Sequence, residues 1–126
     1  MMKEISNAEL VVLNLLWQTS PMPANEIIEK LADANQWQDK TIKTLLNRLV
    51  NKEAIGYEKQ GRAYRYFPLI DQNEYQLQES ESFIQRLFSG KIAPLVAGFA
   101  REKKLSADDV QALQKLIDDW QKENKS

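Results

Sequence analysis

The sequence contains no cysteine and no histidine, and only four glycines and four prolines among its 126 residues. Without cysteine there can be no disulfide, no thiolate metal site and no thiol catalysis. Without histidine the chain lacks the commonest general base and the commonest ligand of transition metals. An enzyme would have to work with carboxylates, lysine, tyrosine or serine alone. We therefore expect no catalytic site, no metal and no other cofactor.

Long apolar runs are also missing, since no stretch approaches the roughly 20 apolar residues that a membrane helix needs. The apolar run near the beginning is interrupted by Asn14, and no small-residue cleavage pattern follows it, so it does not fit a signal peptide. Hydrophobic residues make up 43% of the chain and charged residues 28%, a balance that predicts a folded protein. We expect a soluble, cytoplasmic protein with no direct membrane binding.

Positive charge is concentrated in one part of a slightly acidic chain. The net charge is −1, yet residues 40–65 carry seven cations against two acids, a local charge of +5 that leaves −6 for the rest. Where the charge lies matters more to a polyanionic partner than the total. The seven cations are Lys40, Lys43, Arg48, Lys52, Lys59, Arg62 and Arg65.

Apolar residues at helical spacing predict three helices, followed by a hairpin. Ser6 and Glu9 form a capping box for the first helix, which should run to about residue 17 or 18. Two prolines in "TSPMPAN" break the chain before a second helix over about 24–34. Asp39 is a good N-cap for a third helix over 40–53. The expected inward residues are Leu10, Val12, Leu13, Leu16 and Trp17, then Ile27, Ile28 and Leu31, then Ile42, Leu45, Leu46, Leu49 and Val50.

The segments "IGYEKQ" and "AYRYFPL" are rich in aromatic and β-branched residues and flank "QGR". This pattern predicts a β-hairpin with Gly61 in its turn and with Pro68 ending the second strand or placing it at an edge. Three helices and a hairpin over residues 1–70 are typical of a winged helix-turn-helix.

Residues 71–126 are predicted to form three further helices, so the fold class is mainly α. Asp71 with Glu74 begins the fourth helix and Gly90 ends it, Pro94 is tolerable in the first turn of the fifth, and Ser106 caps the sixth. Three helices in so short a segment make a thin core for a monomer, so we expect a homodimerisation domain. The alternative is that their apolar stripes pack on the winged domain. The predicted dimerisation residues are Ile84, Leu87, Phe88, Leu95, Phe99, Leu113, Leu116, Ile117 and Trp120.

The outer face of the third helix shows only cationic or short polar side chains. Threonine offers a hydroxyl and a methyl group, asparagine can pair with adenine, and arginine can pair with guanine or phosphate. Two threonines each sacrifice a few tenths of a kcal/mol of helix propensity, which a surface that must fit a DNA groove would justify. The alternative is a solvated basic face. The predicted DNA-binding residues of the helix are Lys40, Thr41, Lys43, Thr44, Asn47 and Arg48.

The hairpin extends this positive surface through Lys59, Arg62 and Arg65, which we also predict to bind DNA. In a winged fold the hairpin lies beside the third helix and reaches an adjacent backbone or minor groove. Strand alternation puts Tyr64 and Tyr66 on one face and Arg65 on the other. We expect Tyr66 to pack in the fold, while the role of Tyr64 stays open.

The run "SNAELVVLNLLW", "ANEIIEKL", "DKTIKTLLNRLVNKEAI" and "YRYFPL" closely resembles the penicillinase-repressor family of the BlaI/MecI/CopY type. Further on, "FIQRLFSGKIAPLVAGFA" and "LSADDVQALQKLID" resemble the dimerisation segment of that family, so the similarity covers nearly the whole chain. The resemblance implies a homodimeric transcriptional repressor of double-stranded operator DNA, connected in some relatives with antibiotic resistance. Family operators are inverted repeats, often with TACA/TGTA half-sites. The family's DNA contacts map onto Lys40, Thr41, Lys43, Thr44 and Arg48, with Arg62 and its neighbours in the wing.

The resemblance also implies a route of release, by weakening or proteolysis of the dimerisation half. In the β-lactamase branch a membrane sensor with a zinc protease domain leads to cleavage between Asn and Phe in the fifth helix. The matching candidate cleavage site is Gly98 and Phe99, where Gly98 departs from the family pattern. The favoured interpretation of Phe99 is an ordinary buried residue of the apolar stripe. The copper branch binds metal through C-terminal cysteines, which this chain lacks. The alternative function is a winged-helix protein–protein interaction module that does not bind DNA.

Overall fold

The computed structural model describes residues 4–124. The first three residues of the predicted winged domain and the last two of the predicted dimerisation domain lie outside the described range. The chain divides into two compact units, and the division falls after Gln76, inside the fourth helix. The elements in chain order are α1 (Asn7–Gln18), β1 (Met22–Pro23), α2 (Ala24–Asn35), α3 (Asp39–Asn51), β2 (Ile55–Gln60), β3 (Ala63–Pro68), α4 (Gln72–Phe88), α5 (Ala93–Arg101) and α6 (Ala107–Glu123).

Helix α1 begins with the predicted capping box. The Ser6 hydroxyl accepts from the Glu9 backbone N–H at 3.1 Å, and the Glu9 carboxylate accepts from the Ser6 N–H at 2.9 Å. The buried face is rotated from the predicted stripe, because Val12, Leu13 and Leu16 are buried with Glu9, while Leu10 and Trp17 lie at its edge. The prediction differed because it counted only apolar side chains as inward, whereas the buried face of α1 includes the carboxylate of Glu9.

The predicted bounds of the third helix, 40–53, are wrong by a residue or two. Helix α3 runs over Asp39–Asn51, and its N-cap is Gln38, which makes no side-chain capping bond. Asp39 is therefore a first-turn residue whose charge favours the helix dipole, and not the N-cap. The helix stops before Glu53 because that residue has a left-handed φ of 61°. The inward side is as predicted for Ile42, Leu45, Leu46 and Leu49, which are buried, while Val50 is only half-buried.

The predicted hairpin is confirmed, with Gly61 at a φ of 65° in its turn and Pro68 at the end of β3. A third strand was not predicted. Met22 and Pro23 pair with Tyr66 and Arg65 of β3, so the sheet order is β1-β3-β2 and β3 is central. Proline is compatible with β1 because it forms the sheet edge, where one side of the strand needs no donor.

The first unit has one core, formed by the inner faces of α1, α2 and α3 against the sheet. Burying each large aliphatic side chain there is worth about 1.5–3 kcal/mol. The beginning of α4 belongs to this unit, because the ring of Tyr75 lies 5.8 Å from that of Trp17. The Trp17 indole N–H also donates to the carbonyl of Ile70 at 2.8 Å. The large apolar residues that are fully buried are Val12, Leu13, Leu16, Met22, Ile27, Ile42, Leu46, Leu49 and Ile55.

The second unit contains the rest of α4 with α5 and α6, and their predicted end signals are confirmed. The Asp71 carboxylate accepts from the Glu74 N–H at 3.0 Å at the start of α4. Gly90, at a φ of 83°, donates its N–H to the Ile84 carbonyl at the other end. Ser106 and Asp109 form a capping box for α6. None of residues 77–124 is buried, although all three helices carry apolar stripes. Within residues 4–124 no helix is long and apolar enough to cross a membrane.

Candidate nucleic-acid interface

The outer face of α3 is exposed along its whole length, as its position opposite the buried stripe requires. At about 100° per residue, Thr41 and Arg48 lie on one flank, and Lys43 and Asn47 lie on the other. The second flank faces the hairpin, because Asn47 lines a groove together with residues of β2 and β3. Arg48 is therefore on the flank away from the hairpin. The exposed residues are Lys40, Thr41, Lys43, Thr44, Asn47 and Arg48.

The hydroxyl of Thr44 makes a bond within the helix, donating to the carbonyl of Lys40 at 2.9 Å. With its proton engaged in this way, the hydroxyl oxygen offers an acceptor to a neighbouring molecule, and the methyl group offers an apolar contact. This bond also fixes the direction of the methyl group, which is the part of threonine that fits the thymine C5-methyl.

Two of the seven cations counted in the sequence are already held by acids. Arg65 Nη2 donates to Glu58 Oε1 at 3.0 Å, across the β2–β3 ladder where the two residues are directly opposite. Lys52 Nζ lies 2.6 Å from Glu9 Oε1. The structure therefore places Arg65 in the sheet, half-buried, on the face opposite Tyr64. Of the seven cations in residues 40–65, the five that form no ion pair within the described chain are Lys40, Lys43, Arg48, Lys59 and Arg62.

The Glu9–Lys52 pair connects the start of α1 to the end of α3. Glu9 is only 1% exposed, and Lys52 also donates to the Glu4 carbonyl at 2.8 Å. Burial by itself raises the pKa of Glu9, but the hydrogen bonds from Lys52 and Ser6 outweigh it, so the pKa is lowered from its ordinary value. Glu9 is thus a buried carboxylate, and its ionised form depends on Lys52.

Three tyrosines cover the other face of the hairpin. Tyr57 lies directly opposite Tyr66 in the ladder. The ring of Tyr57 packs edge-on against Tyr64 at a centroid distance of 5.0 Å and lies 6.0 Å from the ring of Tyr66. Tyr66 packs against the core, as predicted, and burial together with the neighbouring tyrosines raises its pKa. The open question about Tyr64 is answered, because its side chain is exposed at the groove.

The groove between this tyrosine face and α3 has a volume of about 390 Å³. Asn47, Val50 and Asn51 line it on the helix side, and the three tyrosines line it on the hairpin side. The sequence analysis did not predict that Asn51 and Tyr57 would line the same groove. A signal was present, because a two-residue turn at Gly61 pairs positions 60 and 63 and so places Tyr57 opposite Tyr66. Glu9 had a signal too, since it shares a helical face with Val12, Leu13 and Leu16.

The predicted dimerisation residues lie on α4, α5 and α6 of the second unit. An open groove of about 630 Å³ runs between α4 and α5, lined in part by Phe83, Ile84, Leu95 and Phe99. The candidate cleavage residues Gly98 and Phe99 lie inside α5, with Phe99 exposed. Of the predicted dimerisation residues, the half-buried ones are Ile84, Phe88, Leu95 and Leu113, and the exposed ones are Leu87, Phe99, Leu116, Ile117 and Trp120. The described residues contain no group of three or more side chains that could hold a metal ion.

Three helices and a three-stranded sheet, whose β2–β3 hairpin lies beside the third helix, define a winged helix-turn-helix protein. The family profile described as "Penicillinase repressor" matches residues 5–119, and the chain belongs to this family. The resemblance drawn from the sequence is therefore confirmed.

Several characterised proteins are similar over most of the chain. The penicillinase repressor of Bacillus licheniformis is 34% identical over 122 residues, covering 97% of this chain and 95% of the relative. The methicillin resistance regulatory protein MecI of Staphylococcus aureus (strain N315) is 32% identical over 114 residues, covering 90% of this chain and 93% of the relative.

Solved structures that are similar to this chain include two that cover 60% of it. The solution structure of the DNA-binding domain of the repressor BlaI matches with a TM-score of 0.55 and 40% identity, covering 60% of this chain and 92% of that one. Monomeric BlaI of Bacillus licheniformis in complex with the blaP half-operator matches with a TM-score of 0.53, at the same identity and coverage.

Proposed function

We propose that the chain is a transcriptional repressor that binds inverted-repeat operator DNA as a homodimer. Helix α3 enters the major groove of a half-site, and the hairpin reaches the adjacent backbone or minor groove. The observation that carries this proposal is the set of five unpaired cations on the outer face of α3 and on the hairpin. The binding of a half-operator by a relative with 40% identity supports it. No observation favours the alternative of a protein–protein module without DNA binding.

The homodimer is supported by the second unit, in which none of residues 77–124 is buried. Helices with apolar stripes and no buried side chain need a further surface to cover them, and a second copy of the same segment supplies one. In this arrangement α4, α5 and α6 fix the spacing of the two α3 helices, so that the inverted repeat of the operator mirrors the twofold axis of the protein.

Release of the operator follows from loss of that dimer, since two linked half-site contacts bind far more tightly than one. Cleavage between Gly98 and Phe99 would separate α6 from the rest of the chain, and the proposed partner is a membrane sensor with a protease domain. The bond lies in a helix, which must open locally before a protease can cut it, and glycine lowers helix stability by about 1 kcal/mol relative to alanine. Coexpression with a sensor encoded beside this chain, followed by mass spectrometry, would detect a chain cut after residue 98. An intact chain with a released operator would indicate weakening without proteolysis.

The test of DNA binding is a salt series on a duplex carrying inverted TACA/TGTA half-sites. Five cations that neutralise phosphates predict that log K falls against log salt with a slope of about −4 to −5 per half-site. Arg48→Ala and Arg62→Ala should each weaken binding, whereas Lys122→Ala, which removes an exposed cation from α6, should not. A flat salt dependence, or full affinity in both arginine variants, would contradict the proposal.

A further inference from the structure

The groove between α3 and the hairpin is lined by no charged side chain, although both α3 and the hairpin carry cations elsewhere on their surfaces. Its walls are the amides of Asn47 and Asn51, the side chain of Val50 and the rings of three tyrosines. The groove therefore differs in chemistry from the rest of the proposed interface. Whatever occupies it is held by neutral hydrogen bonds and by aromatic surface.

The hydrogen-bonding groups of the groove are free in the chain. Within residues 4–124 the side-chain amides of Asn47 and Asn51 and the hydroxyls of the groove tyrosines have no protein partner. Asn35 at the end of α2 and Asn124 just after α6 differ, because each amide donates to the carbonyl four residues earlier at 2.9 Å.

The aromatic rings are also more exposed than folding requires. Tyr57 is 52% exposed and Tyr64 is 44% exposed, and the two rings stay in edge-on contact. Exposed aromatic surface next to free polar groups is typical of a contact site, because rings supply contact area at a low cost in side-chain entropy.

The geometry of B-DNA indicates the occupant. One sugar–phosphate strand separates a major groove from the adjoining minor groove. If α3 enters the major groove and the hairpin reaches the adjoining minor groove, which is one of the two placements of the hairpin proposed above, the two elements lie on either side of that strand. The space between α3 and the hairpin is this groove, so the strand passes along Asn47, Asn51 and the tyrosine face.

We propose that this groove, called the neutral groove below, binds the sugar–phosphate strand that passes between α3 and the hairpin. The proposal rests on the proposed DNA-binding function and adds residues outside the cationic set. The amides of Asn47 and Asn51 and the hydroxyl of Tyr64 donate to phosphate oxygens, and the tyrosine rings lie against deoxyribose. Such contacts fix position and carry no direct sequence information. They also neutralise no charge, so they release no condensed counterion.

This difference gives the test. Two variants remove a neutral donor: Tyr64→Phe keeps the ring, and Asn51→Ala keeps the helix. Both are compared with Arg62→Ala, which removes a cation, and with Asn14→Ala, which removes an exposed helical asparagine from α1. Each full-length variant is titrated against the TACA/TGTA inverted-repeat duplex and against a duplex of the same composition with shuffled half-sites, at several salt concentrations.

We expect Tyr64→Phe and Asn51→Ala each to weaken binding of both duplexes by the same factor, about tenfold per half-site, with an unchanged salt slope. Arg62→Ala should reduce the slope by about one. Asn14→Ala should bind like the parent chain, and thermal melting should show that all four variants are folded.

Parent-like affinity in both neutral variants would overturn the neutral groove while leaving the proposed function intact. Weakening on the half-site duplex alone would also overturn it, because it would mean contact with bases. If the parent chain bound neither duplex, the proposed function would fail first, and the groove assignment with it.

Discussion

Replacing Lys52 by methionine removes the cation that keeps a buried carboxylate ionised. Breaking a fully buried ion pair from one side costs about 3–5 kcal/mol, because the other charge stays behind uncompensated. Here Glu9 is buried, but the side chain of Lys52 is 29% exposed, so solvent already screens part of the interaction. The Ser6 N–H remains as a donor to Glu9, while Glu9 Oε2 has no partner in the described chain. We therefore expect Lys52→Met to lower the free energy of unfolding by about 2–3 kcal/mol at neutral pH.

The loss should depend on pH. In the parent chain the pKa of Glu9 is lowered, so its stabilising contribution is complete above the unfolded-state pKa of about 4.3 and is lost as pH falls through the folded-state value. In Lys52→Met burial dominates, the folded-state pKa of Glu9 rises above about 4.3, and acidification towards that value stabilises the variant. The gap between the two proteins should close as the pH falls.

Urea unfolding followed by tryptophan fluorescence, at about pH 7 and again at several lower values down to about pH 3, measures this gap from above the unfolded-state pKa of Glu9, about 4.3, to below it. The matched control is Lys59→Met, since Lys59 is an exposed cation without an ion pair and should change stability by no more than about 0.5 kcal/mol. Equal stability of the two variants at neutral pH, or a gap that widens on acidification, would refute the reasoning.

The remaining predictions concern the second unit and the hairpin turn. Leu116 is 65% exposed in the chain, so Leu116→Glu should shift sedimentation equilibrium towards monomer and reduce affinity for the inverted repeat to that of one half-site; an unchanged dimer would place Leu116 outside the interface. Gly61 has a φ of 65°, so Gly61→Ala should cost about 1–2 kcal/mol in thermal unfolding, and Gly61→Asn should retain most of that stability. Equal melting of the alanine and asparagine variants would show that the left-handed turn is not the constraint.

Features set by local chemistry were predictable from the sequence. The capping box of Ser6 and Glu9, that of Ser106 and Asp109 and the turn at Gly61 each depend on residues a few positions apart. For the same reason the six predicted helices and the predicted hairpin occur in the predicted order, while the N-cap of α3 is Gln38 and not Asp39. Local patterns define an element better than they define its last residue.

Features that join distant parts of the chain were not predictable in the same way. Strand β1 exists because Met22 meets Tyr66, and two prolines in a loop-like segment gave no sign of it. Lys52 belongs to the positive segment by sequence, yet its charge is held by Glu9, 43 positions away. The five free cations of the candidate interface could be told from the two paired ones only once the fold had placed their partners.

The lack of any buried residue over 77–124 has a consequence for how the protein responds to its own abundance. In the proposed homodimer the folding of α4, α5 and α6 is coupled to association, so the amount of folded second unit rises with the square of chain concentration when the protein is scarce. Operator occupancy then depends on gene dosage more steeply than it would for a repressor that binds as a monomer. A cell that dilutes the chain by growth would lose repression abruptly, without any inducer.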